Sequence, residues 1–352
     1  MGSKNYKLKR CGQLLCTLLI FSFYFLPAKA QIAGLSTLTV LDMSGAGRTA
    51  GLGFDYLPLY SADLSVGIDN PSLIRDVMGG TGMLSYVSMF DGGGQGLLSY
   101  AHTGKRLGTF VFGFHFNNYG RFVEYDEEET ELGSFTASDY ALSIGWGLWL
   151  DSNYSVGVNF KPVLSQYANY TALAVAFDVA GSYTSDNRRF STTLMARNIG
   201  AQIITFDETV EELPFELSAA LSYKLVGAPL RFFFAATELQ RWNLRYNDPL
   251  HPTSTVDPFT GEVDKEGWFE GTLDNLLRHT LVGVEISLGK ALFARVGYSY
   301  RQNAEVRGVD AFNMSGFSFG VGLHTKRLEF SYAHRNYHLS QAPNYITLSY
   351  RF

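Results

Sequence analysis

The chain has 352 residues and a formal net charge of −5, with 46% hydrophobic, 15% aromatic and 17% charged residues. An acidic balance with no basic block argues against nucleic-acid binding, which rests on neutralising phosphates. Both cysteines, Cys11 and Cys16, fall within the first 30 residues, so the rest of the chain lacks thiols for disulfides, thiolate catalysis or cysteine metal sites.

Residues 1–30 read as a signal peptide. Lys4, Lys7, Lys9 and Arg10 make a basic start, Leu14 to Leu26 is uncharged and mostly apolar, and Ala28-Lys29-Ala30 is an A-x-A cleavage signal. The apolar run is too short for a spanning helix, which needs roughly 20 residues. Cleavage before Gln31 removes five bases and no acid, taking the net charge from −5 to −10.

Residues 31–81 are less strand-like, with Gly45, Gly47, Gly51 and Gly53 ahead of Asp69-Asn70-Pro71-Ser72-Leu73. This segment is expected to fold into or under a barrel lumen as a plug, with Asn70 and Pro71 as its candidate residues. A periplasmic extension is the alternative.

From residue 82 to 352 the pattern changes to period-two alternation. Phe110, Phe112, Phe114 and Phe116 alternate with Val111, Gly113 and His115, and Phe317, Phe319, Val321 and Leu323 with Ser318, Gly320 and Gly322. Successive strand side chains point to opposite faces, so each segment has one greasy face and one small or polar face. About fourteen strands are predicted, near 82–90, 95–103, 107–117, 134–148, 153–164, 170–183, 189–199, 214–224, 229–239, 277–287, 291–301, 314–323, 327–334 and 344–352. Many approach the roughly 9–11 residues that a tilted membrane strand needs.

Connections alternate in length. Short ones fall at 104–106, 151–152, 184–188, 225–228, 288–290 and 324–326, and mostly longer ones at 118–133, 165–169, 200–213, 240–276, 302–313 and 335–343. Bacterial barrels sort short turns to the periplasm and long loops outside. In the last segment Ile346, Leu348, Tyr350 and Phe352 form an outward row, and the terminal Phe352 is the candidate assembly signal. The expected fold is therefore an all-β transmembrane antiparallel barrel.

Little points to catalysis. The seven histidines have no HxxH, HxH or HExxH spacing, and no GxSxG occurs. No catalytic, metal or cofactor residue is assigned. Lys161, Asp178, Glu216, Lys224, Arg231, Glu285, Arg295 and Arg301 fall on the predicted inner face, where they either line a solute path or pair with one another. The acidic run Glu124, Asp126, Glu127, Glu128, Glu129 and Glu131 reads as a solvated outer loop, with a docking patch or calcium site as the sharper alternative. Trp242, Tyr246, Trp268 and Phe269 in 240–276 are candidates for partner contact or for a cap over the barrel.

The order of motifs resembles the PorQ family of the type IX secretion system, a relative of PorV and the FadL-like barrels. The matching stretches include Leu57-Pro58, Asp69-Asn70-Pro71, Asn118-Tyr119-Gly120, Gly133 to Ser143, Gly157 to Lys161, Arg197-Asn198-Ile199-Gly200, Leu213-Pro214-Phe215, Leu221 to Leu225, Arg278-His279, Gly297-Tyr298 and Gly316 to Gly320. The family usually carries a longer Ala/Gly-rich stretch between its Leu-Pro and Asn-Pro elements than Leu59 to Asp69 here. The resemblance implies a FadL-like barrel in the bacterial outer membrane with a non-enzymatic role. Such a barrel holds a PorZ-like surface protein beside PorU- and PorV-like components, in a complex that joins cargo to lipopolysaccharide. A FadL-like transporter of hydrophobic solutes is the alternative function.

Overall fold

The computed structural model describes residues 38–352 except 43, 90–91, 127, 129, 208–209, 246–253, 257–262, 266, 307–313 and 337–341. The expected signal peptide lies outside the described residues. Fourteen strands close into one antiparallel barrel. In chain order they are β1 (Thr81–Ser88), β2 (Gly94–Gly104), β3 (Gly108–Tyr125), β4 (Glu131–Trp149), β5 (Tyr154–Tyr167), β6 (Tyr170–Thr184), β7 (Phe190–Ile204), β8 (Glu216–Lys224), β9 (Leu230–Ala236), β12 (Thr280–Leu288), β13 (Leu292–Ser299), β14 (Phe317–His324), β15 (Leu328–Arg335) and β16 (Asn344–Arg351). Two short strands, β10 (Ser254–Val256) and β11 (Val263–Lys265), form a separate hairpin. Closure comes from β1 pairing with β16, Thr81 opposite Arg351 through Ser88 opposite Asn344. A closed sheet leaves no unpaired edge.

Alternation fixes which face is which. Leu348, Leu84, Leu98, Phe114 and Leu142 are successive cross-strand partners, and each is at least 41% exposed. This hoop continues through Phe330 and Leu323 on one side, and Phe160 and Phe177 pair on the other. A continuous apolar belt of this extent has no place in water and suits hydrocarbon. The barrel is therefore a transmembrane one. The opposite face is small and polar: Ser85, Ser99, Ser143, Ser182, Thr193, Ser222, Ser318 and Thr347 are buried inside.

The six short turns lie at one end, which we term the turn end. The other end holds the remaining connections. Here the structure corrects the expected loops. Residues 118–125 and 131–133 belong to β3 and β4, and the connection shrinks to 126–130. Likewise 165–167 and 200–204 extend β5 and β7. The reason is a register shift between Asn118 and Arg121, with Gly120 at φ 95, which breaks the alternation without ending the strand. Two helices, Trp268–Arg278 and Tyr300–Val306, replace the end of the expected loop 240–276 and the start of 302–313 at the same end, and take in residues 277–278 and 300–301 of the expected strands.

Inside the barrel lie short helical pieces: the helices Gly47–Gly51 and Leu64–Asp69, and single 3-10 turns at Thr39–Leu41, Pro71–Leu73 and Asp76–Met78. Asp63 caps the second helix, accepting from the Ser65 N–H at 2.8 Å. Leu52, Phe54, Leu57, Leu64, Val66, Leu73, Ile74 and Met78 are all buried. Each such burial stabilises by about 1.5–3 kcal/mol, so this segment supplies a core that the polar barrel wall lacks.

The segment reaches the wall all round. Gly47 N–H donates to Thr347 Oγ1 of β16, Asn70 Nδ2 to Thr193 Oγ1 of β7, and the Ser222 hydroxyl of β8 to the Pro58 carbonyl. Two patches of the wall let the backbone come close. In the first, Gly283 and Gly297 pair across β12 and β13 beneath Leu52 and Gly53. In the second, Gly147 and Gly157 pair across β4 and β5 beneath Pro71.

Candidate functional site: the latched lumen and the loop-end surface

Two ion-pair clusters bind the internal segment to the wall. In the first, buried Arg48 donates to Asp63 (2.9 Å) within the segment and to Glu285 of β12 (3.0 Å), with Glu329 of β15 at 3.8 Å. Glu285 also accepts from Arg295 of β13 at 2.8 Å, and Arg295 donates to Ser331 Oγ. Burial alone would raise the Asp63 carboxyl, but the Arg48 guanidinium beside it holds it down to about 2. Every partner is fixed, so the cluster acts as one unit rather than as isolated surface pairs.

In the second cluster Lys161 of β5 meets Asp178 of β6 at 2.7 Å, and Arg197 of β7 meets Glu216 of β8 at 3.3 Å. Asn198 has φ 57 in the left-handed region. Its N–H donates to Asp178 Oδ1, and its side-chain amide donates to Asp42 Oδ1 and to the Pro214 carbonyl. Arg197 reaches the Leu41 carbonyl. Two carboxyls of the internal segment sit nearby without a directly bonded cation among the described residues. Burial pushes Asp69 up to about 7, with Thr49 donating to it, and Asp42 up to about 6.

Five of the inner-face charges, Lys161, Asp178, Glu216, Glu285 and Arg295, are thus in ion pairs, as the second of the two alternatives open from sequence has it, while Arg231 donates to Ser222 Oγ and to the carbonyls of Arg188 and Arg189. Two of the eight do not belong to the lumen. Lys224 is exposed at the turn end of β8. Arg301 lies in the helix after β13, where it pairs with Glu238 (3.1 Å) and Glu305 (2.8 Å). Lys224 keeps the inward phase but ends β8, where the barrel opens to solvent, and alternation placed Arg301 by extrapolating past the end of β13. Arg48, Asp63, Arg197 and Glu329 were not assigned from sequence. Arg197 is legible in hindsight, since it shares the inward phase of Thr193 and Met195 in β7.

A cavity of ≈ 40 Å³ lies among Val40, Asp69, His115, Ser143, Lys161 and Arg197. Small-molecule sites usually have about 300–1,000 Å³. Of the candidate plug residues, Asn70 is fully buried and also accepts from Ser72 Oγ, which in turn meets Ser182 Oγ of β6 at 2.6 Å. Pro71 rests on the second glycine patch.

The loop end carries a different surface. The helix Trp268–Arg278 displays Phe269 (69% exposed), Leu273 and Leu276, spaced along one face. Segment 242–245 is tied to it: Asn275 accepts from the Leu244 N–H and donates to the Trp242 carbonyl, and Arg245 pairs with Asp274 at 3.2 Å. Trp242 stacks on His279 and stays 67% exposed. A cleft of ≈ 360 Å³ opens between Trp242, Arg245, Gly267 and Asn275. Glu124 is exposed near the end of β3. Glu127, Glu129 and Tyr246 lie outside the described residues, and among the described residues no group of three His, Cys, Asp or Glu is placed to hold a metal.

At the turn end the Phe352 ring, 82% exposed, packs edge-on to Tyr350 at 5.2 Å and its N–H donates to the Gly80 carbonyl. It thereby continues the outward row of β16 next to the closing β1. We expect Phe352→Ala to lower the yield of folded barrel in a refolding assay into lipid. Equal yield would remove any assembly role for this ring.

No known protein-family model matches the chain, and neither does any curated sequence. Solved structures do. The Pseudomonas putida toluene transporter TodX superposes with a TM-score of 0.51 at 11% identity, covering 92% of this chain and 100% of that one. A TodX deltaS2S3 mutant, described as a monoaromatic hydrocarbon channel, gives 0.50 at 10% identity over 91% and 99%. A Pseudomonas aeruginosa FadL homologue gives 0.44 at 10% identity over 92% and 100%. At such identities the likeness is one of fold, and the TodX superpositions agree with the strand order above: a closed fourteen-stranded antiparallel barrel, here with its N-terminal segment inside.

Proposed function

We propose that this protein is a non-enzymatic, plugged outer-membrane anchor whose loop end holds a surface protein. The observation that carries the reading is the filled lumen. The segment that carries Arg48 is latched to β12, β13 and β15 by Arg48 and its neighbours, its apolar side chains are buried inside the barrel, and a cavity beside Asp69 and Lys161 measures ≈ 40 Å³. With short turns on the periplasmic side, the loop end faces the cell exterior. Exposed Trp242, Phe269, Leu273 and Leu276 then supply the aromatic and aliphatic surface on which stable partners dock. The motif order that resembles the PorQ family points to the partner: a PorZ-like surface protein, beside PorU- and PorV-like components that join cargo to lipopolysaccharide.

Gentle detergent extraction of the tagged chain from native membranes tests this reading. A large surface protein is expected at near-equal amount, and to be lost in Trp242→Ala/Phe269→Ala. Recovery of the barrel alone, carrying fatty acid or aromatic solutes, would overturn the anchor.

A second reading, passage of hydrophobic solutes, is favoured by the fold shared with the toluene transporter TodX. The two readings part in planar bilayers and proteoliposomes. We expect the purified barrel to show no conductance step and no uptake of monoaromatic or fatty-acid probes above that of protein-free vesicles. Saturable uptake would move the assignment to transport.

A further inference from the structure

The turn end carries an excess of basic charge. Lys105 and Arg106 occupy the β2–β3 turn, Lys224 ends β8, Lys290 lies in the β12–β13 turn, and Lys326 and Arg327 form the β14–β15 turn; all six are exposed. None has a side-chain hydrogen bond or ion pair among the described residues. The exposed carboxylates described at this end, Asp76, Asp151 and Asp186, are half as many as these six bases, and none forms an ion pair with them among the described residues. Asp151 accepts from the N–H groups of Asn153 and Tyr154 and shapes its own turn. Asp186 accepts from Asn153 Nδ2, and Asp63 is buried against Arg48. The opposite end has the reverse sign, with Glu124, Glu128 and Glu131 exposed. The basic rim is therefore a local feature of a chain whose net charge is −5.

Its level along the barrel axis identifies the occupant. Outward aromatic residues stand directly above the bases. Tyr223 immediately precedes Lys224 and is 41% exposed. The Trp146 indole N–H donates to the Leu107 carbonyl at 2.8 Å, next to Arg106. Tyr154 and Tyr183 pack at 5.0 Å. Aromatic girdles mark the edge of the hydrocarbon, and the polar headgroup layer beyond it is roughly 5–7 Å deep on each side. One or two strand residues cross that depth at about 3.3 Å each. Bases one or two residues past the girdle thus sit among phosphates rather than in open water, and long basic side chains reach that layer readily.

We propose that this rim is a binding surface for anionic phospholipid headgroups in the leaflet surrounding the turn end. It spans the turns of β2–β3, β8–β9, β12–β13 and β14–β15, so it gathers a lipid collar around much of the circumference rather than one lipid in one pocket. A base near a membrane surface favours an anionic lipid enough that six of them give an expected enrichment of about tenfold or more. The inference does not depend on what the barrel anchors.

The test uses the full chain in nanodiscs of phosphatidylcholine with one-fifth phosphatidylglycerol, with retained lipids read by native mass spectrometry. Wild type should hold phosphatidylglycerol about tenfold above its share in the disc, falling to about twofold or less when all six bases are changed to glutamine. The partial variant K105Q/R106Q/K290Q should fall between, which keeps the test open if the sixfold variant folds poorly. E124Q/E128Q/E131Q at the other end should match wild type. No enrichment in wild type, or enrichment that survives in both base variants, overturns the proposal. So does a sixfold variant that keeps its lipid selectivity and loses only a co-purifying acidic protein, because the rim would then be a protein-docking surface.

Discussion

Replacing Arg48 with alanine is expected to destabilise the barrel by about 3–5 kcal/mol, the range for removing one partner of a buried ion cluster. Arg48 is the single cation between Asp63, Glu285 and Glu329, at 2.9, 3.0 and 3.8 Å. Arg295 retains Glu285 at 2.8 Å and His324 stays 3.5 Å from Glu329, but Asp63 is left without a bonded cation among the described residues, beside the Glu329 carboxylate. Their repulsion acts across the boundary between the internal segment and the wall, so the segment should loosen first. Thermal melting in micelles gives the loss of stability. Hydrogen exchange resolved over 47–74 distinguishes local release from global softening, since a released segment exchanges while the strands stay protected. A melting curve identical to wild type, with unchanged protection, would show that the cluster does not hold the segment.

The paired variant R48M/D63N sharpens this expectation. It removes a charge from each side of the closest pair and keeps much of the volume. Buried ion pairs exchanged for neutral side chains of similar size are often tolerated. We therefore expect the double variant to be more stable than R48A. If it is not, neither the stranded Asp63 charge nor the lost volume of the arginine stem accounts for the loss in R48A. A barrel built to pass solutes through this space gains nothing from such a latch, and R48A should raise ion leak in planar bilayers if the segment blocks a pore.

Much of the barrel is legible in sequence because its physics is local. Outward Leu84, Leu98, Phe112 and Val321 must meet lipid and inward Ser85, Ser99, Gly113 and Gly322 must leave room, so the period of two is written along each strand. All fourteen barrel strands fall where alternation placed them. The failures are also local in origin. At Asn118 to Arg121 a bulge shifts the phase, and the strand reads as loop. In 268–276 Phe269, Leu273 and Leu276 follow a helical period, but the prolines and charges upstream made the whole stretch read as loop. The latch was hidden for a different reason. Arg48 and Asp63 lie 237 and 222 positions from Glu285 in sequence, on short pieces with no periodicity, and nothing along the chain announces that a closed barrel brings them together. The glycines show the same limit. Alternation suggested one small or polar face, but only the fold shows that Gly147, Gly157, Gly283 and Gly297 form two seats for one internal backbone.

Those seats carry the second large effect. A Cβ at Gly297 would fall 1.9 Å from the Leu52 carbonyl oxygen and 2.2 Å from its carbon; at Gly157 it would fall 2.2 Å from the Pro71 carbonyl carbon. Both obstacles are backbone, so no rotamer change relieves them, and either the segment lifts or the strand bends. Overpacking a tight contact costs about 1–3 kcal/mol and sometimes more, and Gly297→Ala and Gly157→Ala are each expected at or above the top of that range. Gly181 of β6 supplies the control: nothing lies within 4 Å of a Cβ there. Alanine also suits a strand interior better than glycine, so Gly181→Ala should be neutral or stabilising by up to about 1 kcal/mol. The two seats grip different ends of the internal segment, Leu52 and Pro71, so the single variants should each expose their own end to hydrogen exchange. G157A/G297A should release the whole of 47–74 together, with a loss of stability exceeding the sum of the singles, because the first release leaves the second contact as the remaining tether. Additive losses with independent exchange at the two ends would mean that the segment is held piecewise, by side chains such as Asn70 and Arg48, and not by the close fit of its backbone to the wall.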